Sequence, residues 1–268
     1  MPGSGSPAYR DDNMAMVLTA LQGIPLIRQG DDLADIIAAA LSAAGISLED
    51  DDILVLGQKI VSKAEGRMVN LARVVAGEPA RRLAAQVDKD PRLVELMLQE
   101  SNSVLRARPG TIIVEHKLGF VCANAGIDHS NVAGVGTQDE EYVLLLPENP
   151  DRSASLLRDR LGAASGKRIG VMIIDSHGRA WRIGTVGMCI GLSGLPAIVD
   201  QRGWKDLFGY TLRITIVGVA DELAAAASLL MGQAAEGTPV VHVRGFPYPL
   251  REGSLRDLIR PRELDLFR

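Results

Sequence analysis

Two short polar stretches carry the residue types from which a cation and phosphate site is made. The first is Asn124-Ala125-Gly126-Ile127-Asp128-His129-Ser130-Asn131-Val132, a glycine-bearing run with one acid and several amide and hydroxyl groups between apolar segments. The second is Asp175-Ser176-His177-Gly178-Arg179, a loop expected directly after the apolar run at 169–174. Asp128 and Asp175 are expected to meet across one site and share a divalent cation. Hard cations take carboxylate and hydroxyl oxygens, and Mg²⁺ commonly uses one or two protein carboxylates together with phosphate oxygens. Ser176 would add a hydroxyl. The competing reading of Asp128 is a turn residue bonding its own backbone, and that of Ser176 is a cap or turn. Asp175 fits such a reading less well, because it follows an apolar strand, and ligands gather beyond the carboxyl ends of strands.

Other side chains could serve the same site. Lys59 and Lys63, four apart, fall on one face of a helix or turn and suit phosphate oxygens; taken singly, each reads better as a solvated lysine. Arg179 and Arg182 flank Trp181 beside the second stretch. A guanidinium fork suits phosphate or carboxylate, which makes Arg179 the candidate catalytic residue, with structural ion pairing as the alternative. Asp200 and Asp206 are weaker candidates. Gly232-Gln233 follows an expected helix and could close over a ligand, although glycine there is also an ordinary helix terminator. Common nucleotide and hydrolase motifs fail. Gly162-Ala163-Ala164-Ser165-Gly166-Lys167-Arg168 has three residues between its glycines where a P-loop needs four, and it ends in Arg168 instead of Ser or Thr. Gly134-Val135-Gly136 lacks the third glycine of a dinucleotide fingerprint, no Gly-x-Ser-x-Gly elbow occurs, and the histidines at 116, 129, 177 and 242 lack zinc-ligand spacing.

The elements that must position these residues follow from periodicity and punctuation. Strands are expected at 16–19, 53–56, 142–146, 169–174, 210–219 and 240–243, with a strand pair at 112–114 and 119–121 around His116 and Lys117. Asp31 or Asp32 caps a helix that stops at Gly45. One or two helices cover 79–100, broken near Pro91, and further helices run from 150 to 164 and from about 220 to 231. A glycine-rich, β-rich region covers 181–193. Helices and strands mix without a regular βαβ rhythm, which predicts an α+β fold.

With 268 residues, 47% hydrophobic and 23% charged, the chain can bury a sizeable core. A net charge of −4 gives no reason to expect nucleic acid. The two cysteines, Cys122 and Cys189, have no paired spacing, which fits a reducing cytoplasm. No apolar run reaches the roughly 20 residues that span a bilayer, and the N-terminus lacks the regions of a signal peptide.

Taken together, the chain resembles the coenzyme F420-0:L-glutamate ligase family of γ-glutamyl ligases. The resemblance rests on Gly23-Ile24-Pro25-Leu26-Ile27, Lys59-Ile60-Val61-Ser62-Lys63-Ala64-Glu65-Gly66-Arg67, Asn124 to Asp128 with Ser130-Asn131-Val132, Leu146-Pro147, Pro150-Asp151, Asp175-Ser176 with Gly178-Arg179 and Trp181-Arg182, and Ala220-Asp221-Glu222-Leu223-Ala224. It covers residues 16–246, leaving 1–15 as a flexible tail and 247–268 as a C-terminal tail or linker. It implies a two-lobed mixed α/β fold, an intertwined homodimer, and GTP-dependent amide formation between a deazaflavin coenzyme precursor and L-glutamate, with two Mg²⁺ or Mn²⁺ ions and K⁺. By position it implies that Asp128, Asp175 and Ser176 hold metal. Ile24, Pro25, Leu26, Ile27, Gln58, Lys59, Lys63, Asn131, Met231, Gly232 and Gln233 would contact GTP. The family usually has Ser-Lys or Ser-Thr where Gln58-Lys59 stand, and an apolar residue at His177, whose role is left open. A metal-dependent phosphate-ester hydrolase using the same two acids is the rival reading, and a nucleotide sensor without turnover is a third. The glycine-rich apolar run at 181–195 needs a cover, which the implied dimer would supply, as would ordinary core burial.

Overall fold

A computed structural model of the chain describes residues 15–130, 132 and 141–266. Asn131 and most of the N-terminal tail lie outside the described residues. The elements in chain order are β1 (Val17–Ala20), α1 (Leu33–Ala43), β2 (Ile53–Gly57), α2 (Gln58–Ala64), β3 (Met68–Asn70), α3 (Glu78–Val87), α4 (Pro91–Gln99), β4 (Ser101–Arg108), β5 (Thr111–His116), β6 (Val121–Ala123), β7 (Tyr142–Leu144), α5 (Pro150–Ser165), β8 (Gly170–Gly178), β9 (Thr185–Ser193), β10 (Val199–Asp200), β11 (Ile216–Val217), α6 (Val219–Met231) and β12 (Val240–Arg244). The fold is α+β.

The main sheet runs β1-β12-β2-β8-β9. Its centre is the parallel pair β2 and β8, in register from Ile53 opposite Gly170 to Gly57 opposite Ile174. The other pairings are antiparallel. Strands buried on both faces read as unbroken apolar runs, and β2 does so. Its Leu54 and Leu56 join a core with α1 and α5, whereas Ile53 and Val55 join a second core with α6 on the opposite face. Both helices approach β9 at glycines. A Cβ on Gly191 would run into the ring and backbone of Pro150, and one on Gly187 into the backbone of Ala224. A third core forms where α3 and α4 cover the sheet β4-β5-β6, with Ile112 and Val114 pointing inward at alternate positions.

Several local expectations change. β8 continues through Asp175 to Gly178 because β9 pairs with it residue by residue, Asp175 opposite Met188 and Gly178 opposite Thr185. The second polar stretch is therefore strand, not loop. The expected strand at 210–219 shrinks to Ile216–Val217, and Val219 already opens α6. The alternation there faces outward, with Ile214 and Tyr210 exposed. The run at 181–195 finds much of its cover within the chain, since Cys189, Ile190, Leu192 and Leu195 are buried in the two cores flanking the sheet. β4, whose residues are mostly polar and half-exposed, had no sequence pattern to announce it. The segment after 246 packs on the body through buried Leu250 and Leu255, and the Leu255 N–H donates to the Asp151 carboxylate.

At the far end of the sheet, Asp52 is 1% exposed just before β2. It accepts from the Glu49 N–H at 2.8 Å and from Arg244 Nε and Nη2 at 2.9 and 2.7 Å, with His242 Nε2 2.9 Å away. Burial pushes the carboxyl up, but the Arg244 fork, His242 and the Glu49 N–H outweigh it and hold the group below its ordinary value. A depressed carboxylate contributes stability above its unfolded pKa, and that stability is lost as pH falls through the folded one. Asp52→Asn should therefore cost about 3 kcal/mol at pH 7, with the gap to wild type closing in acid below pH ~4. Urea unfolding at stepped pH measures this; equal stability at pH 7 would remove Asp52 from the scaffold's supports.

Candidate active site

The strand directions collect the candidate residues at one edge. β1, β2 and β8 run the same way and β12 runs against them, so the ends of the first three and the start of the last lie together. Leu21 N–H donates to Val240 O, and Gly57 N–H to Pro239 O, at 2.9 and 2.8 Å. These bonds bring the 21–27 and 231–239 segments to the point where β2 passes into α2. In the first segment Ile27 is buried and Ile24 half-buried, while Pro25 and Leu26 are exposed. Gly232 caps α6 with φ 71°, and the Glu236 carboxylate folds against it to accept from the Ala234 N–H at 2.8 Å.

Because Gly57 pairs with Ile174, Gln58 and Asp175 emerge side by side. Asp128 arrives from the other body of the chain. Asn124, Ala125 and Gly126 all have positive φ, turning the chain sharply. Gly126 is required there, since a Cβ would strike the Leu146 side chain. Asp128 then exchanges two backbone hydrogen bonds with Leu144, at 3.0 and 2.9 Å. Its Oδ2 accepts from Gln58 Nε2 at 2.7 Å, its Oδ1 lies 3.4 Å from Lys59 Nζ, and that ammonium also donates to Ser130 Oγ at 3.2 Å. Burial and then the neighbouring Asp175 charge push Asp128 up to about 6, against the pull of Lys59 and Gln58. Gln58, which leaves the sheet beside Asp175 and bonds Asp128, brings the two acids to one site. Burial lowers Lys63, and the charge of Lys59 one helical turn away lowers it further. The two lysines thus share one face of α2, with Lys59 against Asp128.

The strand conformation separates the remaining candidates. Alternation along β8 puts Asp175 and His177 on one face and Ser176 on the other. His177 Nε2 lies 3.0 Å from Asp175 Oδ2. Ser176 Oγ donates to Gln233 Oε1 at 2.9 Å, and Gln233 Nε2 in turn donates to Ser228 Oγ. Ser176 and Gln233 therefore meet each other near the α6 face, not the Asp128 side chain. Arg179 sits about 13 Å of strand beyond Asp175, at ~3.3 Å per residue, and bonds Gly184 O in its own turn. The structure does not bring it to the acids. Asp200 is clamped by Arg202, and Asp206 accepts from the N–H groups of Phe208 and Tyr210, so both serve their own turns.

Sequence reasoning missed the supports of this site. Ser62, one turn after Gln58, donates to Gln58 Oε1 at 2.8 Å; the i, i+4 spacing was the available signal. His177 tilts against Phe120 at 5.1 Å, and Phe120 stacks on buried His116 at 5.3 Å. Burial, then the His177, Arg67 and Lys117 charges, push His116 down to about 4. Arg67 ties three segments by donating to Leu146 O, Glu148 and Glu100.

Fold and site together define an α+β protein with acids and lysines gathered at one edge of a mixed sheet. A family model described as F420-0:Gamma-glutamyl ligase matches residues 23–245. The coenzyme F420:L-glutamate ligase of Methanothermobacter thermautotrophicus is 46% identical over 257 residues, covering 95% of this chain and all of that protein. The proteins of the same name from Methanopyrus kandleri and Archaeoglobus fulgidus are 45% and 43% identical, covering 92% and 95% of this chain and 97% of each relative. The chain belongs to the F420-0:gamma-glutamyl ligase family.

The coupling of the acids is directly measurable. Replacing Asp175 by Asn removes the like charge but not the burial, so Asp128 should titrate below its value of about 6. Carboxyl-carbon NMR of the metal-free protein reads this. An unchanged Asp128 titration would mean that the acids do not share a site.

Proposed function

We propose that this chain is a GTP-dependent ligase that joins L-glutamate to the lactyl carboxylate of coenzyme F420-0 and then adds a γ-linked glutamate. The observation that carries the reading is the pair Asp128 and Asp175 beside Lys59 and Lys63, in a chain of this family. The names of the relatives supply the glutamate and the coenzyme; the lysines and acids suit a nucleotide triphosphate with its cation.

The donor set suits a hard divalent ion. The Asp175 charge adds to the cost of ionising buried Asp128, and the Lys59 ammonium beside Asp128 stands in for positive charge. No group of three or more His, Cys, Asp or Glu side chains suited to metal binding occurs among the described residues. That pattern fits Mg²⁺ or Mn²⁺ completed by phosphate and water, and does not resemble an all-protein cage. When bound at Asp128 and Asp175, such ions neutralise phosphate charge, with K⁺ as a supporting ion. Lys59 and Lys63 hold phosphate oxygens, and Ile24 to Ile27 with Met231 to Gln233 enclose the rest of the nucleotide. In the reaction the γ-phosphoryl group passes to the substrate carboxylate, giving an acyl phosphate and GDP. The glutamate amine attacks that carbonyl, phosphate leaves, and an amide remains. The protein's part is to align the groups and balance charge, and no covalent enzyme intermediate is required.

Mass spectrometry of the deazaflavin substrate incubated with GTP, Mn²⁺ and glutamate should show one or more added glutamyl units. Asp128→Asn and Asp175→Asn should each lower the rate at least about a hundredfold while circular dichroism stays unchanged. GTP hydrolysis without glutamate incorporation would instead support the phosphate-ester hydrolase.

We further propose a homodimer, motivated by exposed apolar side chains at the start of the 181–195 run and on a second arm. Leu207, Phe208 and Ile214 on the arm between β10 and β11, and Trp181 and Ile183 at the β8–β9 turn, are almost fully exposed. An apolar surface of this kind marks an association site, and the occupant is a second copy. Light scattering should give twice the 28.6 kDa chain mass, and Leu207→Asp with Phe208→Asp should give monomers. A wild-type monomer across micromolar dilution would refute the dimer.

A further inference from the structure

We propose that Gln58 and His177 are positioning residues, each holding one oxygen of one acid so that Asp128 and Asp175 present a fixed pair of remaining oxygens to a single cation. The proposal rests on the metal role given above to the two acids.

Gln58 is 1% exposed, and both ends of its amide are engaged. Its Oε1 accepts from Ser62 Oγ at 2.8 Å, and its Nε2 donates to Asp128 Oδ2 at 2.7 Å. The amide orientation is dictated by chemistry, because an ionised carboxylate can only accept. At 1% exposure this side chain has little surface to offer a nucleotide, and the role inferred for it is a brace on Asp128. The backbone of Gln58 is itself fixed, since it follows the last β2–β8 pair, Gly57 with Ile174. The brace is also neutral. Unlike Lys59, it orients the acid without cancelling the charge that attracts a cation.

His177 does the same for Asp175 from two residues along the same strand face. Its Nε2 lies 3.0 Å from Asp175 Oδ2. The ring is buried and rests on Phe120, which stacks on His116, whose Nδ1 accepts from the Leu118 N–H at 3.0 Å. The imidazole cannot rotate without displacing that stack. Among the described residues, Asp175 Oδ1 makes no hydrogen bond and Asp128 Oδ1 has the Lys59 ammonium at 3.4 Å. One oxygen of each acid is thus tied, which leaves the other for a cation. Two carboxylates that repel each other need such restraint, because with few protein ligands nothing else sets their angle. Supports of this kind typically change metal affinity 10–100-fold.

The test is Mn²⁺ binding by calorimetry and electron paramagnetic resonance on the intact chain, for wild type, Gln58→Met, His177→Phe and Asp128→Asn. Met and Phe keep the bulk and remove the donors. Each is expected to weaken Mn²⁺ binding about 10–100-fold, while GTP affinity in chelator and the melting temperature stay near wild type. His177→Gln, which restores a donor, should recover much of the loss. If either bulky variant does not fold, Ser62→Ala and His177→Gln carry the test. A severalfold loss in Ser62→Ala with near-wild-type binding in His177→Gln supports the braces, and full Mn²⁺ affinity in Ser62→Ala overturns the Gln58 brace. Unchanged Mn²⁺ affinity in folded Gln58→Met and His177→Phe, with binding lost in Asp128→Asn, overturns the braces and leaves the metal reading standing. Absence of Mn²⁺ binding by wild type overturns both.

Discussion

The parallel pairing of β2 with β8 is the constraint on which the site depends. A parallel register sends both chains out at the same edge, so Gln58 and Asp175 leave the sheet together. One residue of slip would turn Asp175 to the α6 face and put Ser176 in its place, because side chains alternate along a strand. The register is protected by burial. Ile53, Leu54, Val55 and Leu56 are fully covered, as are Val171, Met172 and Ile173, and a slip would exchange the contents of two filled cores. The glycines that seat α5 and α6 against β9 add a second lock, since Gly191 and Gly187 admit Pro150 and Ala224 at backbone contact.

The two ends of the sheet treat charge in opposite ways. At the scaffold end, Asp52 is surrounded by donors and held below its ordinary value. Its contribution to stability is present at neutral pH and lost in acid. At the site end, burial and Asp175 push Asp128 up to about 6. The stability linked to that group is present below its unfolded pKa and lost as pH rises through about 6, on the order of 3 kcal/mol. His116, pushed down to about 4, prefers to be neutral, so its contribution is present above its unfolded value and falls away as pH drops toward 4. A strained charge of the Asp128 kind is expected where a ligand supplies the missing cation.

The Asp128 loop shows how a second body of the chain completes the first. Nothing in the main sheet supplies a second acid at its edge. The 124–126 turn, three residues of positive φ in succession, swings the chain from β6 so that Asp128 pairs with Leu144 and meets Gln58. Ala125 in that conformation costs of order 1–3 kcal/mol, and its full burial in the third core holds it there. Arg67 carries the same connection from another side, reaching Leu146, Glu148 and Glu100.

The sequence by itself determined the apolar strands, the capped helices and the α+β class, because burial period, cap residues and glycine stops act within a few residues of each other. It also singled out Asp175, an acid at the end of an apolar strand, while Asp128, Lys59 and Lys63 gained weight from their neighbours and from the family resemblance. Only the tertiary structure decided which of them meet. Strand pairing with β9 turned an expected loop into strand and sent Ser176 to the opposite face from Asp175. A contact across 70 residues made Gln58 a partner of Asp128, and stacking on Phe120 gave His177 its place. These are nonlocal events, set by register and by which surfaces close on each other, and no local pattern of residue types encodes them.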